Sequence, residues 1–279
     1  MIDAHHHYWQ VALQNHDWRG DEHAALERDF TPEDLAPLLV DAGVRRTILV
    51  ESADLPGEND RLARYAAETE TVAGVVGWLP LRDPTAAGGE LDRSLSADWL
   101  GVRCLVGRSP MAWLHSPAAV ALMRRVAAEG LAWDVVPVTE EQVEDVLELA
   151  ARVPDLRIVV DHLARPPLGD PEGRGVEAWR DRVTRMASLP NVAMKVSVGI
   201  DALTAWEWKA AELGPILGHA VEAFGVERLM LASNWPVVTL RAGYGQAIGD
   251  MVDALRGLGC SAAEIEAVTS TTAECWYRV

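Results

Sequence analysis

The residues best able to do chemistry stand at the very start: Ile2-Asp3-Ala4-His5-His6-His7. Read as a β-strand, whose side chains alternate between faces, the stretch puts Asp3, His5 and His7 on one face. Ile2, Ala4 and His6 take the other. Two imidazoles two residues apart on one face can grip one metal ion or one anionic group. A tag remnant or a packed histidine turn would leave the same letters, so the rest of the chain must decide. Further polar residues end or follow apolar runs: Glu51-Ser52, Arg82-Asp83, Arg103, Asp134, Asp161-His162 with Arg165 beyond, Lys195 and Ser197, and Ser233-Asn234-Trp235-Pro236. Buried charge is costly, so a purely structural chain has little reason to gather it there. Bland readings exist for each residue. Arg103 can bridge to Glu51 or Asp134, Lys195 can pair with Asp161, and Asp134 reads as an orienting acid. Tyr8, Trp9 and Trp235 can be core packing or substrate contacts.

The elements that must position these residues alternate along the chain. Short apolar strands are expected at 46–50, 72–79, 100–104, 131–136, 156–160, 191–196 and 228–232, after the first at 2–7. A helix follows each. Thr31-Pro32 supplies an N-cap and a first-turn proline, and Gly43 a stop. Thr139-Glu-Glu-Gln142 and Ser261-Ala-Ala-Glu264 are capping boxes. Eight β–α units imply a parallel sheet, and at this length a (β/α)8 TIM barrel of one domain, residues 1–279. A doubly wound open sheet is the alternative, but no Gly-x-Gly-x-x-Gly turn follows any strand. Tyr8 to Phe30 is polar and lacks periodicity, and its tryptophans favour an ordered lid. Barrel enzymes keep their chemistry at the C-terminal ends of the strands, where the polar residues above fall.

Composition narrows the class. Of 279 residues 49% are hydrophobic, enough for a sizeable core, and the net charge is −17. That charge argues against nucleic acid and anionic membranes as partners. It also means that an acidic ligand needs its own local cations. Three scattered cysteines form no disulfide framework and no metal knuckle. No apolar run approaches the roughly 20 residues of a membrane span, and no signal sequence is apparent. A cytoplasmic enzyme or binding protein is expected.

The opening Ile2-Asp-Ala-His-His-His-Tyr-Trp9 is joined by six other landmarks in order: 76–84, Gly101-Val-Arg103, 131–134, Asp161-His-Leu-Ala-Arg-Pro-Pro167, Met194-Lys-Val-Ser197 and 228–237. Together they resemble the amidohydrolase-related lactonases, a group that includes L-fuconolactone and L-rhamnonolactone hydrolases. The resemblance implies an amidohydrolase-type barrel that opens a sugar-acid lactone by water attack on its carbonyl. In it, His5 and His7 match the first-strand His-x-His and His162 the sixth-strand histidine. All three polarise the carbonyl, and all are the implied ligands of one Zn²⁺, in a family where the cofactor is one zinc or none. Arg103 and Arg165 resemble substrate-binding cations, with Lys195, Tyr8 and Trp235 beside them. Asn234 stands where the family usually has an aspartate base. An amide cannot accept that proton, so the chain is an engineered variant, a branch with another base, or a barrel that binds sugar acids without hydrolysis. Glu51 and Ala164 also depart from the usual Gln and Gly. A metal-dependent decarboxylase or hydratase is the rival within the superfamily. Which lactone is used, and whether the chain forms a homo-oligomer, stays open.

Overall fold

The computed structural model describes residues 1–170 and 172–279. Eight parallel strands run in sequence order: β1 Ile2–His6, β2 Arg46–Val50, β3 Val72–Trp78, β4 Trp99–Arg103, β5 Ala132–Val135, β6 Arg157–Val160, β7 Val192–Val196 and β8 Leu229–Leu231. The sheet closes through a parallel bridge between His6 and Trp235, with the His7 amide donating to the Trp235 carbonyl at 2.8 Å. Closure excludes the doubly wound alternative. The helices are α1 Pro32–Ala42, α2 Glu58–Glu68, α3 Pro84–Ser94, α4 Pro117–Ala128, α5 Glu140–Arg152, α6 Val176–Ala187, α7 Ile200–Ala205, α8 Ala210–Phe224, α9 Tyr244–Gly257, α10 Ala262–Glu266 and α11 Thr272–Tyr277. The boxes at Thr139 and Ser261 both form, and at the start of α1 the Thr31 amide donates to the Asp34 carboxylate at 2.9 Å. Gly43 ends α1 at φ +68°, the left-handed conformation that glycine adopts without penalty. Among the described residues no helix is long and apolar enough to cross a membrane.

Two apolar layers result. The larger lies between strands and helices; the smaller fills the barrel with Ile2, Ala4, Val50, Val76, Leu100, Met230 and neighbours. Ala273 and Tyr277 of α11 join the inner layer, so the C-terminal helix plugs the end where strands start. The Arg157 side chain, from the first residue of β6, bonds the Trp276 carbonyl there.

One expectation fails at β1. Asp3 pairs with Thr47 but His6 with Leu49, three steps against two. That extra residue is a β-bulge, and it breaks strict alternation. Ile2 and Ala4 face inward, His5 also faces inward, and Asp3 faces out. Outside, Asp3 accepts from the Ser233 amide at 2.8 Å, the Ser233 hydroxyl at 2.6 Å and Tyr244 of α9 at 3.1 Å. Asp3 therefore does not share a face with His5 and His7; it ties the first strand to the end of the last.

Candidate active site

Inside the barrel, above the apolar floor, a buried ionic layer is built by strand alternation: Ala132 then Asp134, Val159 then Asp161, Ala193 then Lys195. Lys195 Nζ lies 2.5 Å from Asp134, 3.1 Å from Asp161 and 3.2 Å from His5 Nδ1. Tyr277 donates to Asp134 at 2.8 Å. Arg103 reaches Glu51 at 3.1 Å, Asp161 at 3.4 Å and His5 Nε2 at 3.1 Å. Its contact with Glu51 has ion-pair distance but poor alignment, so neither Glu51 oxygen has a directed hydrogen bond.

Three buried carboxyls thus face two buried cations, and their proton affinities diverge. Burial pushes Glu51 well above the usual carboxylate range; Arg103 pulls against it, and Asp54, Glu58 and Asp161 add repulsion. Burial also lifts Asp134, to about 6, against the pull of Lys195. Asp161 goes the other way: burial would raise it, but Lys195, His5 and Arg103 together hold it well below its ordinary value. Burial opposes charge on Arg103 too, yet Glu51, Asp161 and Asp134 keep its pKa raised.

Above this layer the histidines are neutral. Burial drives His5 and His7 well below 6.5, and His162 down to about 3. His7 Nδ1 lies 2.9 Å from the Val50 carbonyl, which only accepts, so the proton is on Nδ1 and Nε2 is bare. That bare nitrogen faces His5 Nε2 at 3.1 Å. His162 Nδ1 meets the Ser197 hydroxyl at 2.8 Å. His162 sits in an unusual turn: residues 162 to 165 all have φ between 51° and 56°. Left-handed backbone costs about 1–2 kcal/mol per non-glycine residue. The turn is held by the Trp179 indole donating to the Leu163 carbonyl at 2.7 Å and by the Arg165 amide donating to the His162 carbonyl at 2.9 Å. It brings His162 and Arg165 to the same rim.

A cavity of about 140 Å³ opens at the strand ends, with His7, Ser52, Arg103, His162, Arg165 and Asn234 on its polar side and Trp18, Leu105, Val106, Val136, Ile200 and Val237 on its apolar side. Asn234 is left-handed at φ +57°, and its side-chain amide donates to the Val198 carbonyl at 2.9 Å. Arg165 pairs with Asp201.

The expected site residues divide accordingly. His7, Arg103, His162, Arg165 and Asn234 line the cavity. His5 and Lys195 are fully buried beneath it, and His5 meets its lining at Arg103, His7, His162 and the Asn234 amide. Tyr8 and Trp235 do not line it; they pack against one another at 5.9 Å between ring centres, with Tyr65 and Phe30 alongside. The bland pairings of Arg103 with Glu51 and of Lys195 with Asp161 are both present. Ser52, noted at the end of the second strand, and Trp18, one of the tryptophans of the expected lid, belong to the lining although neither was assigned a site role. Trp18 lies in the Tyr8–Phe30 segment, which straps the mouth: its indole donates to the Ser52 carbonyl at 3.1 Å, and His23 reaches Thr204 at 2.9 Å. Tyr277 gave no signal in the sequence.

The donors suit one divalent ion. His5, Asp161 and His162 each offer a ligand atom within 4.8 Å of the others. The 3.1 Å between the His5 and His7 Nε2 atoms is close to the roughly 3.3 Å that two nitrogens 2.0–2.1 Å from a tetrahedral zinc would show. Such an ion needs His5 protonated on Nδ1, toward Asp161 at 3.3 Å. Arg103 competes for the same Nε2.

A closed parallel barrel with its titratable groups gathered at the C-terminal strand ends has the layout of a barrel enzyme. The chain belongs to the amidohydrolase family, whose model matches residues 2–279. It is 34% identical over 245 residues to an L-fucono-1,5-lactonase of Burkholderia ambifaria, covering 88% of this chain and 83% of the relative. An L-fucono-1,5-lactonase of Burkholderia multivorans is 31% identical over 295 residues, covering 99% and 95%. The crystal structure of an amidohydrolase from Burkholderia multivorans with bound zinc superimposes with a TM-score of 0.90 at 27% identity, covering 100% and 99%.

Proposed function

We propose that the chain hydrolyses the lactone of a sugar acid, of the L-fucono- or L-rhamnonolactone kind. The observation that carries this reading is the cavity at the strand ends. It sets two arginines, two neutral imidazoles and an amide against an apolar wall, in a chain about a third identical to curated L-fucono-1,5-lactonases. The volume suits a small ring rather than a polymer.

In the reaction, water adds to the lactone carbonyl carbon, the ring C–O bond breaks, and the water's proton ends on the released hydroxyl. Arg103 and Arg165 face the oxygen that becomes negative, and preorganised charge of this kind is the usual main source of rate. Asn234 cannot take a proton. With its NH₂ on Val198, its carbonyl oxygen is left to accept a hydrogen from the water and orient it. His7 Nε2 is engaged with His5, so His162 is the lining imidazole with a free nitrogen, and it takes the water's proton. Asp161 and Lys195 act from beneath, by fixing His5 and the local potential. Tyr8 and Trp235 support the rim by packing.

A single zinc, weakly held by His5, His7, His162 and Asp161, would supply Lewis-acid polarisation of the carbonyl. It would also occupy the nitrogen of His162, so the two roles of that residue are exclusive, and assays with and without chelator separate them.

The test is a pH-indicator assay of the purified chain on L-fucono-1,5-lactone and L-rhamnonolactone, paired with calorimetric binding. Turnover of either lactone is the expected result. Binding without turnover would make the chain a sugar-acid binding barrel; neither binding nor turnover would overturn the reading.

A further inference from the structure

Beside the cavity lies a second groove of about 270 Å³, lined by Arg108, Arg165 and Arg182 together with Asp201. Such a cluster runs against the composition of a chain with 25 Lys and Arg against 42 Asp and Glu. Its charge is not cancelled locally. Arg165 pairs with Asp201 and Arg182 with Glu140 at 2.9 Å, but Arg108 has no ion pair among the described residues. The Nε atoms of Arg165 and Arg182 are buried without hydrogen-bond partners. Unpaired buried donors are costly, and the cations sit within each other's field. Burial lowers the pKa of Arg165; Asp201 pulls it up, and Arg108 and Arg103 push it further down. An anion in the groove relieves the repulsion among these cations.

Arg165 lines the groove and the catalytic cavity alike. We infer that the groove is an anion site for the carboxylate of an open-chain hydroxy acid, the product that lactone opening creates from a neutral substrate. The assignment of the ligand rests on the lactonase reading; the cationic groove itself does not. Arg165 passes the new carboxylate from the cavity to Arg108 and Arg182, while the neutral lactone has no reason to bind there. A planar carboxylate suits the arginine fork, which can donate two parallel hydrogen bonds.

The probe is sodium D-gluconate, an open-chain hydroxy carboxylate, titrated into the full chain by calorimetry at fixed ionic strength, with uncharged D-gluconamide as control. Wild type should bind gluconate and not gluconamide. Arg108→Gln, at an exposed position that leaves the fold undisturbed, should weaken binding by about tenfold, as loss of one charge-assisted contact would. Arg182→Gln should do the same. Equal gluconate affinity in wild type and both variants, or gluconamide binding as tightly as gluconate, would overturn the groove as the site. No gluconate binding by wild type would overturn it as well. The titration needs no turnover, so a chain inactive on every lactone would still give a readable answer.

Discussion

Asn234→Asp is the most revealing single change. The two side chains are nearly isosteric, but the contact that holds this one is polar: the amide donates to the buried Val198 carbonyl at 2.9 Å. An aspartate would set an oxygen against that oxygen. Losing the bond and leaving a buried acceptor unpaired costs about 1–3 kcal/mol. Protonating the carboxyl restores a donor, so the same energy appears as a raised pKa, by roughly one to two units at 1.36 kcal/mol each, from about 3.9 to about 5–6. The sign follows. A carboxyl raised in the fold stabilises fully below its unfolded value and loses that contribution as pH rises through the folded value. At pH 7 the variant should therefore unfold at lower urea than wild type, and at pH 4 nearly together with it. Activity should run the other way. Above about pH 6 the ionised carboxylate is a positioned general base, worth about 10²–10⁴ in rate. His162, its pKa near 3, is a weak base at the low end of that range. A stopped pH-indicator or NMR assay on L-fucono-1,5-lactone from pH 5 to 9 reads the ratio of variant to wild type. A rise in that ratio through pH 5–6 to a plateau is expected. A folded variant no faster than wild type at any pH would show that position 234 does not address the water, and would refute the argument.

Other expected outcomes follow from the same contacts. His162→Asn should lower kcat about 10²-fold in chelated enzyme with little change in KM; an equal loss in KM alone would remove it as the base. Dialysis against zinc should leave about one equivalent per chain by elemental analysis, and His7→Ala should reduce it; stoichiometry unchanged in that variant would place the ion elsewhere. Lys195→Met leaves Asp134 and Asp161 buried without their shared cation and should cost about 3–5 kcal/mol in urea unfolding, partly recovered by adding Asp134→Asn. The buried histidines make the fold acid-sensitive. His6, His16 and His162 lie at about 3, pushed there by burial, and His5 and His7 lie well below 6.5. Below about pH 6.5 the unfolded chain takes up protons that the native one refuses, so stability should fall from there downward; a urea midpoint flat from pH 7 to 4.5 would contradict this.

Much of the barrel was legible because its strands are short apolar runs with polar ends, and because capping boxes and stop glycines mark the helices. The strap at the mouth was legible as a long segment too rich in tryptophan to be loose. The depth of each side chain was not. Lys195 and Arg103 look alike as cations at strand ends, yet one is sealed beneath the site and the other lines it. Tyr8 and Trp235 look like substrate contacts beside the histidines, whereas Trp18, ten residues on, reaches the cavity. Tyr277 became visible only once α11 was seen to plug the barrel, since nothing in its neighbourhood marks a residue that will donate to Asp134 across 143 positions.

The deeper reason is that, although Asp134, Asp161 and Lys195 follow period two, His5, Arg103 and His162 do not. Leu100 faces inward, so strict alternation would send Val102 inward and Arg103 out to the helices. Val75 pairs with Trp99 but Val76 with Gly101, one residue more on β4 than on β3. Room for this irregularity comes from the neighbouring strand: a Cβ on Gly74 would lie 2.6 Å from the Leu100 side chain. The extra residue returns Val102 to the outer layer and turns Arg103 into the barrel, toward Glu51 and His5. The bulge in β1 does the same for His5, and the left-handed turn after β6 does it for His162 and Arg165. Each of the three brings a polar side chain to the site, and those in β1 and after β6 are held by contacts away from it, through Asp3 at Ser233 and Tyr244 and through Trp179 at Leu163. Irregularities of this kind are common beside active sites because they re-aim side chains. Here they are why His5, Arg103 and His162 meet at all.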